Sequence, residues 1–192
     1  EAMSLPGLLA AVRDAEAGGI DGVVVACFDD PGIDACREIA TGPVLGICEA
    51  AVKAASMLAT SFSVVTTLPR SVPIIEDLVE AYGARHRCRN VRSVDMPVLA
   101  LESDPITAEA RLVREIEAAR DQDGAEAVVL GCAGMSDLCE RLQRRTGVPV
   151  IDGVSAAVKL AEGLVGGGYA TSKIGAYDYP RVKTGPVLAE TA

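Results

Sequence analysis

Apolar residues along this chain gather in short unbroken runs instead of alternating with polar ones. Val23-Val24-Val25, Val128-Val129-Leu130 and Phe62 to Thr67 (FSVVTT) are rich in β-branched residues, as strands covered on both faces are. Second runs follow at Val44 to Ile47 and at Val148 to Ile151. Helix signals lie between them. Asp30 before Pro31 predicts a capped start with proline at the first helical position, and Ser136 ahead of Asp137 predicts another. Ser71 opens a helix whose Val72, Ile75, Leu78, Val79 and Tyr82 share one face, and Pro105 to Arg120 turns Leu112, Val113 and Ile116 inward. Met96 to Leu101 reads as a strand broken by Pro97. The basic stretch Arg85-His86-Arg87-Cys88-Arg89 reads as a solvated loop, with a phosphate or carboxylate site there as the minor alternative. Gly166-Gly167-Gly168 marks a loop, and Thr184 onward a tail. Strand alternating with helix predicts a parallel α/β fold.

The chain also repeats itself. Gly19 to Cys27 (GIDGVVVAC) returns 105 positions later as Gly124 to Cys132 (GAEAVVLGC). Pro43 to Ala55 (PVLGICEAAVKAA) returns after 106 as Pro149 to Ala161 (PVIDGVSAAVKLA), with seven identities in thirteen positions. That period is too long for a solenoid and indicates a duplicated half-molecule with a pseudo-two-fold axis. The predicted architecture is two pseudo-symmetric parallel-sheet α/β lobes with the active site in the cleft between them. Residues 1–61 plus 156–192 form the first lobe and residues 62–155 the second.

Composition narrows the function classes. Among 192 residues, 18 Lys and Arg against 27 Asp and Glu leave a formal charge of −9, which argues against a nucleic-acid or anionic-membrane surface. Two Phe, four Tyr and no Trp offer no stacking platform for bases. The longest uncharged run, Ala54 to Pro69, is interrupted by six Ser and Thr residues, and falls short of the ~18 apolar residues of a membrane span. Six cysteines without a CxxC, and His86 as the only histidine, speak against a zinc site and for free, reduced thiols in the cytoplasm. The opening EAMSLPGLLAAV has no initiator Met and no secretory-leader pattern, so the expectation is a chain lacking its true beginning.

Chemistry concentrates on Cys27 and Cys132, which follow the first strand of each repeat. Ligands of open parallel sheets bind beyond the carboxyl ends of strands. Keeping such a thiol ionised near pH 7 needs a shift of about two units, or ~2.7 kcal/mol. A helix dipole typically gives ~0.3–1 kcal/mol, so backbone N–H groups must add the rest. The plain alternative, buried small hydrophobes, suits Cys36, Cys48, Cys88 and Cys139 better than two thiols at one place in a duplicated unit. Thiols facing each other across a cleft suit racemisation by proton transfer, one removing a proton and the other returning it to the opposite face. The enolate formed needs donors. Backbone N–H groups of Phe28, Asp29, Ala133 and Gly134 are candidates, with Thr66 and Thr67; Gly131 completes the candidate substrate-binding set.

The segments ACFDDPG (Ala26 to Gly32), FSVVTT, LGCAGM (Leu130 to Met135) and VPVIDGVSAAVKLAE (Val148 to Glu162) resemble hydantoin racemases of the Asp/Glu/hydantoin racemase superfamily over essentially the whole chain. The resemblance implies a racemase of 5-monosubstituted hydantoins that uses no cofactor and no metal, with Cys27 and Cys132 as the acid/base pair. A small cyclic ureide is then the substrate. Glutamate and aspartate racemases usually show Cys-Asn-Thr in the first motif and Cys-Thr in the second. Cys27-Phe28-Asp29 and Cys132-Ala133-Gly134 depart from both, which favours a neutral ureide. Family members normally begin some forty to fifty residues earlier, with a strand ending in an Asn-Pro-Asn-Thr-type motif at the pocket.

Asp29 and Asp30 stand beside Cys27 whereas Cys132 has no charged neighbour, so Cys132 is expected to ionise more readily. Competing readings are an allantoin racemase, a one-thiol decarboxylase, a two-lobed metabolite-binding protein without catalysis, and a redox protein pairing Cys27 with Cys132. A homo-oligomer is expected, as for many small α/β enzymes.

Overall fold

The apolar runs become parallel strands in two sheets. In the computed structural model, which describes residues 3–181, helix α1 (Leu5–Ala17) leads into β1 (Val23–Val25), α2 (Ile33–Ile39), β2 (Val44–Gly46) and α3 (Ile47–Leu58). Then come β3 (Phe62–Thr66), α4 (Val72–Ala81), β4 (Cys88–Ser93), α5 (Ala100–Ser103), α6 (Pro105–Asp121), β5 (Ala127–Leu130), α7 (Cys139–Thr146), β6 (Val150–Asp152) and α8 (Gly153–Gly166). Strands β1 and β2 form one parallel sheet, and the other runs β4-β3-β5-β6, also parallel. The expected tail from Thr184 lies outside the described residues.

The duplication is visible in the hydrogen-bond register. Val23, Val24 and Val25 pair with Val44, Leu45 and Gly46, and their counterparts Val128, Val129 and Leu130 pair with Val150, Ile151 and Asp152. Every residue of β3 and β5 is buried, which is why neither strand alternates in sequence. One core joins the sheets, running from Leu45 through Ile47, Ala51 and Ala55 of α3 to Phe62, Val64 and Val129. Helices α3 and α8 pack on each other, each touches strands of both sheets, and Ala50, Ala51, Ala55 and Ala157 on them are fully buried. A second core lies on the other face of the larger sheet, around Leu112, Ile116, Val128, Leu130 and Leu142.

Two sequence expectations about strands are corrected. The basic stretch is no free loop: Cys88 and Arg89 open β4, an edge strand pairing only with β3. A register shift between Phe62 and Val64 puts Cys88 and Val91 inward three residues apart, so the strand shows no two-residue period, and an edge tolerates Arg89 facing water. Arg92 turns instead to an ion pair with Asp123, Nε to Oδ2 at 2.6 Å. The predicted strand at Met96 to Leu101 does not form. Met96 N–H bonds Thr67 O, then Pro97, having no N–H, ends the ladder and α5 begins at Ala100.

The helix caps also differ from expectation. Asp30 does not cap α2, which starts at Ile33 behind Gly32 in the left-handed region (φ 65°). Asp30 is itself left-handed (φ 42°) and turns its carboxylate to α3. Ser136 caps no α-helix either; it lies within a 3-10 turn, Ala133–Leu138, and α7 begins only at Cys139. The cause is tertiary in both cases: Asp30 is drawn to α3 and Ser136 to Asp152, and α2 and α7 are left without a side-chain cap.

Candidate active site

Each repeat builds the same turn at its strand end. The N–H of Asp30 donates to Cys27 O at 3.0 Å, and the N–H of Met135 donates to Cys132 O at 3.1 Å. In consequence the amides of Asp29 and Gly134 reach the sulfur of their own cysteine, each favouring the thiolate. The intervening amides of Phe28 and Ala133 have no backbone acceptor among the described residues. The helix dipole expected to assist Cys27 is not beside it, because α2 starts six residues further on. Cys132 does head a 3-10 turn, as its N-cap.

Both turns open on one cavity of about 260 Å³. Cys27, Phe28 and Asp29 line one side, Gly131, Cys132 and Ala133 another, and Thr66 and Thr67 sit at the end of the strand between them. Gly134 is not on the wall; its part is the amide on Cys132. Ala26, Ser71 and Val98 complete the lining without having been anticipated. Ser71 was legible only as a helix start, and Val98 reaches the cavity because the chain turns after Met96.

Gly131 and Thr66 have a joint structural task. Thr66 Oγ1 donates to Gly131 O at 2.9 Å, so its one hydroxyl proton is committed between β3 and β5. A Cβ on Gly131 would lie 2.8 Å from Thr66 Cβ, so only glycine lets these chain ends approach. Thr67 is buried, and its hydroxyl has no hydrogen bond among the described residues, which leaves it for a ligand.

Burial pushes both thiols up from the ordinary cysteine value. Cys27 is exposed but feels the carboxylates of Asp29 and Asp30; Cys132 lies deeper and feels Cys27 and Asp29. Asp29 therefore bears on both sulfurs, and its charge alone does not make Cys132 the readier thiolate. That the two sulfurs influence each other follows from their sharing one cavity. Among the described residues no group of three or more His, Cys, Asp or Glu could hold a metal ion, and no helix is long and apolar enough to cross a membrane. All six cysteines are unpaired.

The family described as Asp/Glu/Hydantoin racemase matches residues 1–161, a span that contains both cysteine turns. The chain belongs to this family. It is 66% identical over 183 residues to a hydantoin racemase of Rhizobium meliloti, covering 95% of this chain and 76% of that protein. A hydantoin racemase of Pseudomonas sp. (strain NS671) is 47% identical, with 95% of this chain and 74% of the relative covered. Among solved structures, allantoin racemase from Klebsiella pneumoniae superposes with a TM-score of 0.90 at 47% identity, covering 95% of this chain and 74% of that one. The two-lobed α/β architecture read from the repeat is the architecture of the family.

Proposed function

We propose that the chain is an isomerase that racemises 5-monosubstituted hydantoins at C5, with Cys27 and Cys132 as the two acid/base groups. The observation that carries this reading is one turn built twice, each turn presenting a thiol to the same cavity. In one direction the Cys27 thiolate takes the C5 proton and becomes the thiol, while the electron pair passes into the ring carbonyl as an enolate. The Cys132 thiol then gives its proton to the opposite face of C5 and is left as the thiolate. The reverse reaction exchanges the roles. Electrons stay within the substrate and protons travel on sulfur, so the step needs no cofactor.

Charge grows on the enolate oxygen. The amides of Phe28 and Ala133 and the Thr67 hydroxyl are the donors we assign to it. Phe28, Val98 and Ala133 supply apolar surface for the C5 substituent. Burial raises both thiols, and the amides of Asp29 and Gly134 act against it by favouring the thiolate that takes the proton. The six unpaired thiols support a reducing, cytoplasmic setting, and a homo-oligomer belongs to the same reading.

The likeness to a solved allantoin racemase favours a second substrate, since allantoin is itself a hydantoin bearing a ureido group. One experiment tests both. An optically pure 5-alkylhydantoin in heavy water, followed by polarimetry and mass spectrometry beside allantoin and L-glutamate, is expected to lose rotation and gain a single deuterium. Retained rotation with every substrate would refute racemisation. Faster turnover of allantoin would move the assignment to that substrate.

A further inference from the structure

The two cysteine turns are moored by carboxylates that come from opposite sides, from the turn itself in the first half and from the neighbouring strand end in the second. In the second half Asp152, at the end of β6, accepts the amides of Val154 (3.1 Å) and Ser155 (2.8 Å) at the start of α8, and receives the hydroxyl of Ser136 from the Cys132 turn. At the 106-residue offset Asp152 corresponds to Gly46, whereas in the cysteine turns, 105 residues apart, Asp30 stands level with Met135 and Ser136 lies one place further on. In the first half the carboxylate has changed sides. Asp30, on the Cys27 turn itself, accepts the amides of Cys48 (3.1 Å) and Glu49 (2.9 Å), the counterparts of Val154 and Ser155. A Cβ on Gly46 would lie 2.2 Å from Asp30 Cγ, so the glycine vacates the place that Asp30 fills. Asp30 also receives the Tyr82 hydroxyl at 2.7 Å, from the carboxyl end of α4.

The first turn needs this anchor more than the second. The Cys132 turn runs on into a 3-10 helix pinned by buried Met135 and Leu138. The Cys27 turn carries exposed Ala26 and Cys27, and continues through the left-handed residues Asp30 and Gly32. Asp30 is only 6% exposed, and three hydrogen bonds hold its carboxylate in that conformation. Its own amide closes the turn on Cys27 O.

We propose that Asp30 is a positioning residue for Cys27, tying the thiol's turn to α3 and Tyr82 so that one face of the substrate is served, while Cys132 is held independently by Ser136 and Asp152. The proposal rests on the two-thiol reading, and its test separates the two.

Three readouts are compared in Asp30→Ala, Tyr82→Phe and the double variant Asp30→Ser with Gly46→Asp, which moves the carboxylate to the strand end, where the second half carries it. Gly46 has an extended backbone (φ −84°) close to that of Asp152 (φ −94°), so an aspartate fits it. Asp30→Ala is expected to lower racemisation by about 10²-fold, the scale of a misplaced reacting group. Solvent-deuterium exchange should survive on one enantiomer only, the same enantiomer that Cys27→Ser still exchanges. Iodoacetamide alkylation of Cys27 should change several-fold relative to Cys132, while Cys132 keeps its wild-type rate. Tyr82→Phe should show the same one-sided pattern more weakly, and the double variant should regain most of the activity.

Parallel loss of exchange on both enantiomers, or equal changes in alkylation at both thiols, would overturn the proposal. So would a folded double variant with no recovery. If the double variant does not fold, Tyr82→Phe decides by the same one-sided criterion, and an unchanged or two-sided response in it overturns the proposal. If the wild-type chain racemises nothing, the two-thiol reading fails on its own, and the alkylation ratio still decides whether Asp30 positions Cys27.

Discussion

Cys27 and Cys132 stand on turns with the same hydrogen bond and at the ends of strands with the same register, yet the surroundings that fix them are of different kinds. Around Cys132 one side-chain bond, from Ser136 to Asp152, is joined by packing, with Met135 and Leu138 buried and Gly131 pressed against Thr66. Around Cys27 buried Phe28 is joined by three bonds that Asp30 accepts, two from the start of α3 and one from Tyr82 at the end of α4. Duplication has kept the backbone that presents a sulfur and let each copy find its own anchor. What the two copies had to preserve was the position of a thiol and of the amide behind it.

The largest effect expected from breaking this pair comes from the thiols. Cys27→Ser and Cys132→Ser should each lower racemisation by about 10³-fold or more, within the range or beyond that a single acid or base contributes. Each should leave deuterium exchange on one enantiomer, and on opposite enantiomers, which chiral chromatography with mass spectrometry reads. Full racemisation by either variant would end the two-base scheme.

Next in size is the packed side of the comparison. Gly131→Ala forces a Cβ to within 2.8 Å of Thr66 Cβ and should destabilise the fold by ~1–3 kcal/mol in thermal unfolding, with the Cys132 face of the reaction impaired first. Thr66→Val leaves Gly131 O without its hydroxyl donor and should cost ~1–3 kcal/mol of stability. Thr67→Val, by contrast, should leave unfolding close to wild type and lower kcat, because its hydroxyl is spent on no partner in the fold. A Thr67→Val protein as active as the parent would remove Thr67 from the oxyanion site.

The smallest expected effect distinguishes the two carboxylates by pH. Burial raises Asp30 to about 6, against its bonds from Glu49, Tyr82 and Cys48; burial also acts on Asp152, but bonds from Ser136, Ser155 and Val154 outweigh it and hold that carboxyl low. A folded-state value above the unfolded one means that the Asp30 contribution is fully present below pH 3.8 and is lost as the pH rises through about 6. For Asp152 the sign is opposite: its contribution is present above pH 3.8 and is lost as the pH falls through its lowered value. Asp30→Asn should therefore flatten the decline in stability between about pH 4 and pH 6, and Asp152→Asn the decline on further acidification. Denaturant unfolding across that range measures both, and identical pH profiles for the two variants would contradict the assignment.

Much of this was legible beforehand because it is local. Valine runs covered on both faces and the spacing of Ile75 and Val79 report on nearest neighbours, and the repeat at 105 and 106 positions shows when the chain is laid against itself. What escaped was set at a distance. The strand at Cys88 was hidden by a register shift against β3 and by arginines that only an edge admits. The capping role of Asp30 depended on an empty place at Gly46, which no window around Asp30 contains. Ser71 and Val98 joined the cavity because helix α4 and the turn after Met96 bring them there. The hydroxyl of Thr66, plausible as a donor from its place at a strand end, is engaged by a carbonyl 65 residues away.

The buried alanines of α3 and α8 have a consequence for the chemistry. Since both helices touch strands of both sheets, a bulkier side chain at buried Ala50, Ala51, Ala55 or Ala157 would push against the sheets that carry the two sulfurs. Methyl groups buried far from the stereocentre thus gauge the width of the slot, and a chain of this kind can adjust which rings it admits without altering any atom that meets them.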